Sequence, residues 1–346
     1  MKVALISDLH FGIKKNDKIF QESQLKFFKE QLVDELKKRG INKIFVLGDI
    51  FDTRQSVNVQ TENVVLDLFR NTFKDFEVHV IVGNHDLYYT TMTEVNSLKI
   101  LSLLPNVNVY EHSEIVNFDG TDVLFLPWIT DYSSFKPITK NVKYAFAHLD
   151  VTGFMMDKVN MCSSGIEMEK ITDKIEHTYT GHFHSRSNKI LNGKSITYIG
   201  SPYQLTRIDR GDERGCTILD LDTNETEFIK NEKSMIFNKI SFPNEPDDKE
   251  KFVKGNIIDV EVTYENSKYA KKLYDYVKDL DNYFPAYPVN VKILQKEEAE
   301  SNLKIESINL FSLFKSYIDD MTIDNKEKVY SSLVELYNTF KNGNTI

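Results

Sequence analysis

The sequence predicts an α/β (α+β) fold whose strand ends bring polar motifs to one sheet edge. Three observations predict it. Short apolar runs alternate with amphipathic helical stretches from the start to about Asp150, each run stops at a polar motif rich in Asp, Asn or His, and glycine stands just before Asp49, Asn84 and His182. Strand ends in an α/β or layered β fold converge, so ligands far apart in the chain can meet in space.

In chain order, Val3 to Ser7 reads as a strand that runs into Asp8-Leu9-His10. Over Gln21 to Arg39, the residues Leu25, Phe28, Leu32 and Leu36 recur at helical spacing, and Gly40 is the expected C-cap. Asn42 to Leu47 reads as a strand ending at Gly48-Asp49, and Val59 to Phe73 as a second helix. The β-branched run Val78 to Val82 ends at Gly83-Asn84-His85-Asp86, and strands follow around Val107 to Tyr110, Val123 to Pro127 and Tyr144 to His148. Thr178 to His184 and Lys189 to Gly200 continue the β character, with a type I′ hairpin expected at Asn192-Gly193. A second hairpin, Thr217 to Asp222 with Glu225 to Lys230, closes this part.

A chain of 346 residues exceeds the roughly 250 to 300 residues over which one core keeps growing. The charged, Pro-interrupted stretch from Glu232 to Lys254 places the first boundary. We therefore expect a domain over 1–231, a small α/β domain over 232–298 and a helical region over 299–346. The second contains strand Asn256 to Thr263, helix Ser267 to Leu280 and strand Val289 to Leu294. In the third, Ile308, Phe311, Phe314, Tyr317, Ile318 and Met321, then Val329, Leu333, Leu336 and Phe340, mark a hairpin of two amphipathic helices.

Composition, with 41% hydrophobic and 27% charged residues, excludes a disordered or fibrous chain. The start, MKVALISDLH, reads as a strand rather than a signal peptide, and no apolar stretch is long enough for a bilayer, so a cytoplasmic location without a membrane partner is expected. Cys162 and Cys216 form no CxxC or Cys/His cluster, which points away from a zinc site or a disulfide framework. A net charge of −9 argues against broad phosphate contact. The objection is limited to broad contact, because local basic strips or bound cations can neutralise a single phosphate.

Asp8-x-His10 alone would be an ordinary turn. It is followed by Gly48-Asp49-Ile50-Phe51-Asp52, Gly83-Asn84-His85-Asp86, strand-terminal His148 and Gly181-His182-Phe183-His184. Five of the eight histidines (His10, His85, His148, His182 and His184) lie in these motifs, whereas His79, His112 and His177 are expected to be packing residues. Oxygen and nitrogen donors without thiolate fit Mn²⁺ best, with Mg²⁺, Fe²⁺ or Zn²⁺ as alternatives.

The ordered set DxH, GDxxD, GNHD, His, GHxH resembles the calcineurin-like metallophosphoesterase superfamily. Together with Gly200-Ser201-Pro202-Tyr203-Gln204, it resembles the SbcD-type nuclease subunit of double-strand-break repair, including its phage relatives. The resemblance implies a four-layer fold of two β-sheets flanked by helices. It implies that Asp8, His10, Asp49 and His184 hold one metal and that Asp49, Asn84, His148 and His182 hold a second, two Mn²⁺ in all, with Asp49 bridging. His85 would contact the scissile phosphate and assist the leaving oxygen. Asp52 is suited to orient His85 and keep it protonated, and also to cap a helix. Some nuclease relatives carry His at the position of Asp52, and phosphoprotein phosphatases carry Asp followed by Arg-Gly, where this chain has Thr53-Arg54-Gln55.

Arg207, Arg210 and Arg214 follow the Gly200 segment and are candidate DNA phosphate contacts. The resemblance further implies a homodimer, an SbcC-type coiled-coil ATPase docked on the C-terminal helices, and a cap over the active site formed by the small α/β domain. The implied activity is duplex-end exonuclease and single-strand endonuclease. A phosphomonoesterase, a cyclic-nucleotide phosphodiesterase and a metal-free scaffold are the alternatives, the scaffold disfavoured because every ligand position is filled.

Overall fold

The structure, a computed structural model, describes residues 1–130, 140–263, 266, 269–294, 315, 318, 319 and 325–342, with side chains through residue 334. The chain divides into two compact units, Met1–Phe237 and Asn238–Ile346.

The first unit holds two six-stranded sheets. One contains β1 (Lys2–Ile6), β2 (Lys43–Val46), β3 (Glu77–Ile81), β4 (Val107–Tyr110), β11 (Gly215–Asp220) and β12 (Thr226–Lys230), in the order β12-β11-β1-β2-β3-β4. The other contains β5 (Glu114–Phe118), β6 (Thr121–Leu126), β7 (Val142–His148), β8 (Ile175–Gly181), β9 (Ser187–Leu191) and β10 (Lys194–Tyr198), in the order β5-β6-β7-β8-β10-β9. Each sheet is parallel at its centre, β1 to β4 in one and β6, β7, β8 and β10 in the other, with antiparallel strands added at the margins. Parallel strands start on one edge and end on the other. The β1, β2, β3, β7 and β8 termini therefore deliver their motifs to a common rim.

Period-two alternation explains the layers. Val3, Leu5, Phe45 and Ile81 from the first sheet share one buried cluster with Phe125, Tyr144, Phe146 and Tyr179 from the second. The alternate residues of the second sheet, Leu124, Ala145, Ala147, Ile196 and Tyr198, pack instead with Phe154 and with Ile171 of helix α4 (Met168–Thr172). On the first sheet, helix α1 (Lys18–Phe27) passes through a π-helical turn (Phe28–Leu32) into α2 (Val33–Lys38). Helix α3 (Val59–Asp67) ends in a similar turn (Leu68–Thr72), and the Phe28 and Phe73 rings meet at 5.7 Å. Asp17 and Asn58 cap α1 and α3 by accepting from Phe20 N and Gln60 N. Gly40, at φ 66°, closes α2 as expected.

Asn192 and Gly193 both have positive φ, as a type I′ turn requires. Two strands lie outside the sequence expectations. Strand β5 exposes most of its residues, and β13 (Phe237–Phe242) lies in the charged stretch read as a boundary. His79 is buried between sheets, bonded to the Tyr110 hydroxyl at 2.8 Å, and His177 pairs with Ser195 at 2.9 Å. His112, expected to be a packing residue, is exposed instead.

In the second unit, β13 pairs with β14 (Ile257–Thr263), which runs parallel to β15 (Asn290–Leu294). Helices α5 (Lys249–Val253) and α6 (Ala270–Asp281) bury Val253, Leu273 and Leu280 against Val260 and Val262, which makes the expected βαβ element. The last helix, α7 (Lys326–Asn342), carries Val329, Leu333, Leu336 and Phe340. The preceding helix expected around Ile308, Phe311, Phe314, Tyr317 and Met321 lies outside the described residues, apart from buried Ile318. Among the described residues no helix is long and apolar enough to cross a membrane.

The Phe45 ring meets Phe118, Phe125 and Phe146 at 4.8 to 5.5 Å in the closed core between the sheets. Phe45→Ala is expected to lower unfolding stability of the first unit by about 3–5 kcal/mol. Urea titration followed by circular dichroism measures this, and a loss below about 1 kcal/mol would contradict a closed inter-sheet core.

Candidate metal centre

The rim loops are held close because neighbouring positions lack side chains. A Cβ on Gly83 would lie 2.2 Å from Asp49 Oδ1, and one on Gly181 would lie 1.9 Å from Ser7 Oγ and 2.5 Å from the Leu47 carbonyl oxygen. Glycine here serves close approach of backbones. Asp8, His10, Asp49 and His182 adopt positive φ, from 44° to 91°. Such strain in residues other than glycine marks positions over-determined by their surroundings.

Main-chain bonds stitch the first two motifs together, Asp8 N to Gly48 O at 3.1 Å, His10 N to Asp49 O at 3.0 Å and Phe11 N to Ile50 O at 2.8 Å. Asp86 fixes the third. Its buried carboxylate accepts from Asp49 N and Gly83 N at 2.9 Å, Ile50 N at 3.0 Å and Phe51 N at 3.2 Å. Sequence reasoning gave Asp86 no role. Its place next to His85 in the GNHD motif was the available signal.

Three donor groups result, each with one ligand atom per residue lying within 4.8 Å of the others: Asp8 with His10 and His184, Asp49 with His148 and His182, and His10 with Asp52 and His85; the first two hold the predicted ligands. His10 Nε2 and His184 Nε2 are 3.1 Å apart. Asp49 Oδ2 lies 3.7 Å from His10 Nε2 and 3.3 Å from His148 Nε2, so one oxygen faces both groups. Asn84 Oδ1 completes the second, 3.0 Å from His148 Nε2 and 2.9 Å from His182 Nδ1. The structure thus brings all seven predicted ligands together. A thiolate-free set of oxygen and nitrogen donors, buried except for half-buried His182 and His184, with one carboxylate between two clusters, fits a pair of divalent cations.

In His148 and His182 the ring nitrogen that faces away from the donors is also bonded. His148 Nδ1 donates to the Leu47 carbonyl at 2.6 Å, which leaves Nε2 for a metal. His182 Nε2 pairs with Asp150 at 2.6 Å, which leaves Nδ1. Asp150, two residues past His148, was missed, and so was Trp128, whose ring lies 5.0 Å from His182. A lone carboxylate without a flanking glycine gave no signal, although the chain's sole Trp could have been singled out.

For Asp52 the structure departs from expectation. His85 Nδ1 is bonded to the Asp52 carbonyl at 2.6 Å, while the Asp52 carboxylate lies 3.4 Å from His10 Nδ1. The main chain of Asp52 holds His85, and its side chain instead faces a ligand histidine. The DNA-contact reading of Arg214 is corrected. Its guanidinium is buried, bonded to Asp209 at 2.8 Å, Asp212 at 3.0 Å and Ser201 at 3.0 Å, and so is committed inside the domain. Arg207 is exposed and Arg210 half-buried. The Gly200 segment braces the rim from behind, with Ser201 N donating to the His184 carbonyl at 3.0 Å and the Tyr203 hydroxyl to the Leu9 carbonyl at 2.6 Å.

Burial alone would lower the His148 pKa, but the Asp49 and Asp8 carboxylates push it up to about 9. Burial and the neighbouring His10 push His184 down to about 4. A cation must therefore displace a proton from His148 at neutral pH. Since that proton is held below about pH 9 and lost above it, metal affinity is expected to rise with pH up to that value, about tenfold per unit for one proton. Calorimetric titration of Mn²⁺ at pH 7.5 in buffers of different ionisation enthalpy is expected to show about one proton released at this site. No release would contradict a protonated His148.

Residues 1–186 match the calcineurin-like phosphoesterase family. That span is more than half of the chain, and the chain belongs to this family of metal-dependent phosphoesterases. Among curated proteins, it is 29% identical over 347 residues to Exonuclease subunit 1 of Enterobacteria phage T4, a match covering 97% of this chain and 98% of that one. Among solved structures, one titled "Structural and Functional Characterization of a Novel Archaeal Phosphodiesterase" aligns with 66% of this chain and 99% of its own, at 12% identity and a TM-score of 0.36.

Proposed function

We propose that this chain is the nuclease subunit of a DNA recombination, repair and replication complex, an exonuclease on duplex ends and an endonuclease on single strands. The observation that carries this reading is the similarity to a phage exonuclease subunit along 97% of the chain, which extends past the metal domain into the second unit. The word subunit in that relative's name supports a partner, for which we propose the coiled-coil base of an SMC-like ATPase bound to the C-terminal helices. A capping role for the small α/β unit, a homodimer and a cytoplasmic location belong to the same proposal.

Asp8, His10, Asp49 and His184 would hold one Mn²⁺, and Asp49, Asn84, His148 and His182 the other. When bound, the pair supplies an activated water and charge neutralisation at the phosphate. The chain's own groups do the rest. The Leu47 carbonyl and Asp150 keep the His148 and His182 rings turned to their ligand nitrogens. With Nδ1 held by the Asp52 carbonyl, His85 keeps Nε2 as the nitrogen able to contact the scissile phosphate and protonate the leaving oxygen. Exposed Arg207 remains a candidate phosphate contact.

Asp49→Asn is expected to abolish Mn²⁺-stimulated cleavage of end-labelled duplex DNA, and full activity of the purified variant would refute the assignment. His85→Ala is expected to lower kcat for DNA by roughly 10²- to 10⁴-fold while Mn²⁺ affinity stays within about threefold. Turnover of linear duplex, circular single strand, a bis-aryl phosphodiester and a monoester tests the class of substrate. Preference for the monoester or for a cyclic nucleotide would replace the nuclease reading.

A further inference from the structure

We infer that Tyr88 and Tyr89 form a stacking platform for an unpaired base of the strand held at His85, a subsite for nucleobases rather than phosphates. The inference rests on the nuclease reading and deepens it.

The loop from Leu87 to Asn96 leaves the metal rim directly after His85 and Asp86. It is fixed at both ends, by a bridge between Leu87 and Asn96, by Tyr88 N donating to the Val95 carbonyl at 3.0 Å, and by Ser97 N donating to the Asp86 carbonyl at 2.9 Å. Asp86 is the residue that clamps the metal-site loops, so the platform shares its anchor with the candidate centre. Three residues of chain reach at most about 11 Å, which keeps Tyr88 within about three base steps at ~3.4 Å per step of His85.

Consecutive residues of an extended strand point to opposite sides. Here a bend gathers both rings to one place, with centroids 4.6 Å apart at an interplanar angle of 80°. Each ring props the other, yet Tyr88 and Tyr89 remain 48% and 49% exposed, next to exposed Met92 and Val95. Among the described residues, neither hydroxyl makes a hydrogen bond. An edge-to-face pair kept in water without a polar partner presents π surface to a ligand.

The charge of the loop selects the ligand class. Leu87 to Asn96 contains no Lys or Arg and carries only the carboxylate of Glu94. Phosphates would be repelled, whereas a base offers a flat, uncharged face. Stacking tolerates any sequence because every base has such a face. In a chain of net charge −9, with Arg214 committed to Asp209 and Asp212, stacking supplies affinity that cationic contacts do not.

The test compares the Mn²⁺-loaded full chain with its Tyr88→Ala/Tyr89→Ala and Tyr88→Phe/Tyr89→Phe variants. Substrates are a single-stranded oligonucleotide, the same strand with abasic positions, and bis(4-nitrophenyl) phosphate. The alanine pair is expected to lower the ratio of kcat/KM for DNA to that for the small diester by about tenfold, mainly through KM. The phenylalanine pair is expected to restore the ratio, and abasic positions to weaken the wild type but not the alanine pair. An unchanged ratio in the alanine variant, or equal sensitivity of both proteins to abasic positions, overturns the platform. If the small diester is cleaved and DNA is not, the nuclease reading fails. Equilibrium binding of a fluorescent oligonucleotide to the Mn²⁺-loaded proteins then still decides the platform, which is refuted if wild type and alanine pair bind alike.

Discussion

One buried carboxylate ties the site together. Asp86 accepts four main-chain N–H groups, three from Asp49, Ile50 and Phe51 and one from Gly83. Backbone donors buried without partners cost about 1–3 kcal/mol each, so the loops after β2 and β3 are stable mainly in this joined arrangement. Joining them places Asp49 Oδ1 on the N–H of His85 at 2.8 Å and leaves Oδ2 facing both donor groups. The bridging position of Asp49 thus follows from a hydrogen-bond requirement met by a different acid.

The same logic extends outward. Seven candidate ligands from five chain segments must keep their orientation without a covalent link, and neighbours hold several of them. Leu47 O holds His148, Asp150 holds His182, and Asp8 accepts the N–H of His182 at 3.0 Å. Gln24 and Tyr203 both donate to the Leu9 carbonyl, which fixes the loop between Asp8 and His10. These partners belong to layers far apart in sequence, so the rim is rigid only when both sheets are closed over the aromatic core.

What could be read from the sequence and what could not follow from this division of labour. Candidate ligands announce themselves because strand ends, glycines and histidines recur as short motifs, and several of the strands that carry them are short apolar runs. Partners do not. Asp150 and Asp86 are single carboxylates whose function depends on which backbone or ring they meet across the fold. Asp52 was read by its side chain, whereas the bond to His85 comes from its carbonyl, which no residue type reveals. Arg214 looked like a phosphate contact in a loop and is buried because Asp209 and Asp212 turn back onto it. Strand β13 was hidden by the prolines and charges around it, although Phe237, Ile240 and Phe242 are buried. The Gly200 segment was noticed for its likeness to a nuclease motif, and its physical contribution is to brace the His184 and Leu9 carbonyls.

Under the proposed function, an acidic chain would have to draw its affinity for DNA from somewhere other than net charge. Counterion release scales with the number of cationic contacts, and here one of the three arginines that follow the Gly200 segment, Arg214, is consumed internally. Cations bound by Asp8, Asp49 and their histidines would concentrate positive charge at the scissile phosphate, where the reaction requires it. Contacts farther along the strand are then free to be uncharged, and exposed aromatic groups at the rim are compatible with that arrangement. Such a distribution would make binding less dependent on salt and more dependent on metal loading than in a basic nuclease, so metal occupancy would act as a switch for substrate capture as well as for chemistry.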